Sequence, residues 1–107
     1  MPDYNHFDKR LQANATSGNG EAAELGGVTC VTAYIVGNGA VSAGAVQLEH
    51  SHSKDYTGTW APLGAATTVV ANSVVAVIAV SQTFKAIRAR ISTPVTGGTV
   101  SVHVLAN

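Results

Sequence analysis

Apolar residues in this chain recur at every second position, and the pattern is clearest from Phe84 to Leu105. There Ile87, Ala89 and Ile91 alternate with Ala86, Arg88 and Arg90, while Val100, Val102 and Val104 alternate with Thr99, Ser101 and His103. A period of two sends successive side chains to opposite faces of a strand. Between the two runs, Thr93-Pro94 and Gly97-Gly98 supply turn chemistry, since proline fixes φ and glycine admits positive φ. The pattern predicts a β-hairpin.

Upstream, Val28 to Val36 is rich in β-branched and aromatic residues and runs into Gly37-Asn38-Gly39, which reads as a strand closed by a turn. Ala43 to Ser51 is the next strand, with Val46, Leu48 and His50 on one face and Ala45, Gln47 and Glu49 on the other. Lys54 to Gly58 is a polar loop, after which Thr59 to Leu63 returns Trp60 towards the core until Pro62 stops the ladder. Thr67–Val70 and Val74–Val80 add one or two strands around Asn72-Ser73. No stretch has helical periodicity and no solenoid repeat is present. The expected fold is all-β: an antiparallel β-sandwich, jelly-roll or Ig-like, of seven or eight short strands over residues 28–107. Trp60, the one tryptophan, is its expected core anchor, packed against valines of the closing hairpin.

Residues 1–27 differ. They hold Asp3, Asp8, Lys9, Arg10, Glu21 and Glu24, half of all the charged residues, and the polar stretch Asn14 to Gly20. Leu11, Ala13 and Ala15 alternate with Gln12 and Asn14, enough for one short strand. Two readings stand: an extended N-terminal arm that becomes ordered against a neighbouring subunit, or a frayed end. An extended arm of this length reaches on the order of 80 Å.

Composition changes the picture in one respect. At 107 residues the chain suits one domain, but aromatics are only 6% against 46% apolar residues, so the core is built from valine and alanine. Such side chains bury little area each, at roughly 25 cal/mol per Å². Charged residues are 11% and the net charge is zero, which argues against nucleic acid as a partner. It is also little charge for a free monomer and suits a subunit of an assembly. Cys30 is the sole cysteine, so no internal disulfide forms, and its neighbours Val28, Val31 and Ala33 mark it as a small buried hydrophobe. The N-terminus lacks the apolar core of a signal peptide, and the longest apolar run, Val69 to Val80, is interrupted and too short to span a bilayer. A soluble protein made in the cytoplasm is expected, and the Asn14-Ala15-Thr16 sequon is read as chance.

Candidate chemistry is thin. His50 and His52 have strand spacing suited to chelation, but only Glu49 or Asp55 stands near as a third ligand, so no metal is expected. No nucleophile elbow, opposed carboxylate pair or phosphate-binding glycine pattern is present, which leaves neither enzyme nor cofactor as the expectation. Trp60 and Tyr56 would make a sugar-stacking platform if exposed. Arg88 and Arg90 share a strand face, with three roles open: facing solvent, pairing with Glu49 across the sheet, or binding a neighbouring subunit.

Two segments together carry a resemblance. The first is Gly44-Ala45-Val46-Gln47-Leu48-Glu49-His50-Ser51, then Asp55 and Gly58-Thr59-Trp60-Ala61-Pro62-Leu63; the second is Ile87-Arg88-Ala89-Arg90-Ile91, then Gly97-Gly98-Thr99-Val100-Ser101-Val102. This combination resembles small all-β virion proteins of tailed phages, of the capsid decoration (cement) type. His50-Ser51-His52-Ser53-Lys54 departs from the shorter loop of that pattern. The resemblance implies a non-enzymatic structural protein on the capsid surface, with the major capsid protein as partner. A homo-oligomer is expected, a trimer if it occupies threefold positions. Tail or fibre attachment and carbohydrate binding are the alternatives. Tyr4, Phe7, Arg10 and Leu11 of the arm, with Arg88 and Arg90, are the candidate subunit contacts.

Overall fold

A computed structural model describes residues 7–28, 30–79 and 84–106. Seven strands form among them: β1 (Phe7–Ala15), β2 (Ala22–Val28), β3 (Val31–Ser51), β4 (Ala61–Pro62), β5 (Thr67–Thr68), β6 (Val74–Ala79) and β7 (Phe84–Ala106). All pairings are antiparallel, and none of the described residues is helical. Hydrogen bonds link the strands into one sheet, ordered β1-β7-β3-β4, with β2 also on β7 and β5 and β6 also on β3. The fold is all-β as the alternation predicts, but one continuous sheet stands where separate sheets were expected.

The frame is a ribbon of two long strands. β3 and β7 pair from Val31 opposite Ala106 to Ser51 opposite Ala86. The hairpin predicted over Phe84 to Leu105 is therefore not formed, because both of its halves pair with β3 instead of with each other. Nor does Gly37-Asn38-Gly39 end a strand. The two turn-like segments face one another: Asn38 lies opposite Thr99, Gly39 opposite Gly98 and Ala43 opposite Thr96, with register shifts from Gly39 to Val46. Glycines and bulges let both strands bend together without breaking. Gly39 has φ +86° and Gly97 +83°, and a Cβ on Gly98 would collide with the Asn38 carbonyl oxygen.

The irregular region divides the ribbon into two halves. The first, residues 31–39 with 98–106, is flanked by β1 and β6; the second, residues 45–51 with 86–93, is flanked by β2, β4 and β5. Val31, Ala33, Ile35, Val100, Val102 and Val104 of the first half are fully buried. They belong to one hydrophobic cluster with Val46, Leu48, Ile87, Ala89 and Ile91 of the second. Aliphatic residues fill this core, in line with the composition.

The arm expected over residues 1–27 is, in its described part, two strands of the sheet. β1 pairs with residues 100–106 of β7 and β2 with residues 84–88, so the boundary placed at 27/28 falls inside β2. Leu11, Ala23 and Leu25 are buried in the common core. The Gln12 side-chain amide donates to the Ala89 carbonyl at 2.7 Å, and the amides of Ile91 and Val95 donate to the carbonyls of Gly18 and Thr16. Leu11 thus serves this chain's own core, where subunit contact was expected. Cys30 is partly exposed, not buried.

Candidate functional site

Residues directly opposite in an antiparallel pair share a face. In the second half, Gln47 lies opposite Arg90, Glu49 opposite Arg88, and Ser51 opposite Ala86. This face points away from the core, which takes Val46, Leu48, Ala89 and Ile91 from the alternate positions. Gln47, Glu49 and Ala86 are nevertheless buried, because the segment after β3 folds back over them. β4 places Pro62 opposite Glu49 and Ala61 opposite His50, and the Leu63 amide donates to the Leu48 carbonyl at 2.8 Å. The Gln47 side-chain amide donates to the Gly64 carbonyl at 3.0 Å, which fastens the far end. Proline is tolerated in β4 since that short strand lies at the sheet edge.

A buried carboxylate organises what lies beneath. Glu49 Oε1 accepts Arg88 Nε–H at 2.8 Å, and Oε2 accepts Arg90 Nε–H at 3.0 Å. The Glu49 side chain is 8% exposed, that of Arg88 18% and that of Arg90 42%. Of the three roles open to the arginines, the structure shows the Glu49 pairing. The Arg88 guanidinium also sits 4.6 Å from the centre of the Trp60 ring, a cation–π arrangement. Trp60 is 3% exposed, and its indole N–H donates to the Tyr56 carbonyl at 2.9 Å. It is an anchor as expected, but for the opposite face: it lies outside the aliphatic cluster that holds the valines of β7.

The remaining candidates are dispersed. His52 is exposed with its ring 5.2 Å from that of Tyr56, His50 lies opposite Ile87, and among the described residues no three potential metal ligands come together. Arg10 is exposed on the first half, opposite His103, and does not join Arg88 and Arg90. Tyr4 and the side chain of Phe7 lie outside the description. Chemically the cluster is a structural clamp. Both carboxylate oxygens are engaged by guanidinium N–H donors. The burial of the Trp60 ring leaves it no open face for a sugar. The packing of Trp60 on Arg88 went unread in the sequence, although a polar row at Gln47, Glu49 and Ser51 beside a lone tryptophan was its visible signal.

The chain is similar in fold to a prophage protein. The crystal structure of the SPBc2 prophage-derived protein YomS matches with a TM-score of 0.67 and 17% identity, covering 96% of this chain and 94% of that one. At that identity the likeness is one of fold. No protein-family model matches the chain, and no curated protein does. Because the match spans nearly the whole of both chains, it takes in β1 and β2 along with the ribbon, so the segment first read as an arm belongs to the shared fold.

Proposed function

We propose that the protein is a structural component of a tailed-phage virion, a decoration protein that binds the assembled head and ties neighbouring major capsid subunits together. The observation that carries this reading is the fold likeness to a prophage-derived protein over almost the full length of both chains. The clamp around Glu49 supports it, since this polar cluster is spent on holding a segment to the sheet. The mode of action is linkage without catalysis. A protein that binds only the assembled shell stabilises it by mass action, by about 2.7 kcal/mol per site at a hundredfold excess over Kd, and symmetry repeats that gain over the shell.

The test is to purify virions from cells expressing the chain and separate heads from tails on a density gradient. Stoichiometric recovery with heads, and earlier heat rupture of heads that lack the protein, is the expected result. Recovery with tails alone would place it at the tail or fibre base and refute the decoration role; absence from both would refute the virion role.

A further inference from the structure

The first half of the sheet has two edges, and they differ in chemistry. Among the described residues β1 pairs only with β7 and carries Asp8, Lys9 and Arg10; β6 pairs only with β3 and reads Val-Val-Ala-Val-Ile-Ala, with no charge, glycine or proline. A free strand edge presents a row of backbone donors and acceptors, and proteins guard such edges with charges, prolines or bulges. β1 is guarded in this way and β6 is not. The side of β6 turned from the core is also apolar and open: Val74 is 58% exposed, Ile78 67% and Tyr34, which lies opposite Ala76, 38%.

We propose that β6 pairs antiparallel with β6 of a second copy of this chain, about a two-fold axis, to form a homodimer. The occupant of the edge must be an extended strand, because what β6 offers on its outer side is a row of backbone groups with no strand partner among the described residues. It must also be uncharged, because neither β6 nor the exposed positions beside it offer a charge to pair with one. β1 of another copy fails this test, since docking there would bring Lys9 and Arg10 against an apolar strand with no acid opposite. β6 of another copy meets it: with Ala76 opposite its own counterpart on the axis, Val74 lies opposite Ile78 and Val75 opposite Val77, so apolar residues face apolar residues. The order β1-β7-β3-β6 then continues into its mate as an eight-stranded sheet across the pair. Such an interface is isologous and closes at two. This rests on the homo-oligomer expected from the sequence and not on head binding, and it replaces the trimer that the resemblance implies.

The experiment uses the full chain in free solution, without heads, so that its failure is separate from a failure of the virion role. Sedimentation equilibrium is run on the wild type and on Ala76→Lys and Ile78→Lys, both at exposed positions, with Arg10→Ala as a control on the opposite edge. A wild-type and Arg10→Ala dimer, with both lysine variants weakened by about 100-fold or more through like charges facing across the axis, is the expected result. A wild-type monomer at 100 µM or about that, a trimer, or a dimer that survives both lysines would overturn the proposal. Should a lysine variant lose its β circular dichroism, hydrogen exchange on the wild type decides. Protection of the 74–79 amides that rises with protein concentration supports the pairing, and protection independent of concentration refutes it.

Discussion

Glu49→Gln keeps the shape of the side chain and removes its charge, so it tests whether the clamp is electrostatic. Breaking a buried ion pair by neutralising one partner costs about 3–5 kcal/mol, because the other charge stays behind. Here that charge is Arg88, whose side chain is 18% exposed and confined beside the Trp60 ring. Arg90, at 42% exposure, is screened by solvent and adds less than about 1 kcal/mol. A glutamine carbonyl still accepts one N–H, which returns about 1 kcal/mol. The net expectation is a loss of about 2–4 kcal/mol. With a urea slope of roughly 1.5 kcal/mol per M, the midpoint falls by roughly 1.3–2.7 M at unchanged slope. Arg88→Gln should cost about 2 kcal/mol and Arg90→Gln under about 1 kcal/mol, by the same difference in burial. A double-mutant cycle should then assign Glu49 the larger coupling to Arg88. A Glu49→Gln loss below about 0.5 kcal/mol, or equal coupling to both arginines, would refute the reasoning.

Two further outcomes follow from the same geometry. Trp60→Ala should cost about 3 kcal/mol, at the low end for a buried aromatic because the covering segment can partly collapse into the space; urea unfolding checks it, and a change under about 1 kcal/mol would mean an accessible ring. Deleting residues 1–27 should abolish the cooperative unfolding transition, since it removes Leu11, Ala23 and Leu25 from the core and strips two strands from β7; a truncated chain that still melts cooperatively would restore the idea of a detachable arm.

Strand content was legible in the sequence because alternation is a local property. Val100, Val102 and Val104 lie on one buried face as their spacing predicts, as do Ile87, Ala89 and Ile91. Turn chemistry misled for a physical reason: glycine and proline permit a sharp turn and a bend within a strand equally well, and only the partner strand decides. At Gly39 and Gly98 the partner is another glycine-bearing segment in register, a coincidence that no window on one strand reveals. A short strand at Leu11 to Ala15 was legible within β1, but β2 stayed hidden because it has few alternating apolar positions and its Gly26-Gly27 reads as loop. Of the candidate site, the Glu49 pairing was visible as one option among three. The burial of Trp60 was expected, but which side of the sheet it covers depends on how the segment after Ser51 folds back, which period-two reasoning does not reach.

The central place of β7 has a consequence for how the chain is made. β1, β2 and β3 all take β7 as a partner, and β7 is the last of the seven strands to leave the ribosome. The tightest closure between the two long strands, Ser51 to Ala86, already spans about 35 residues, so little of the entropy of ordering is recovered by neighbours in sequence. Folding on the ribosome therefore cannot begin with a stable N-terminal half. For the several seconds of synthesis, at roughly 5–20 residues per second, β1 and β2 wait unpaired and β3 has only β4, β5 and β6 to pair with. A protein of this topology folds late and slowly, and a chain cut short before Phe84 keeps only β3 with its partners β4, β5 and β6.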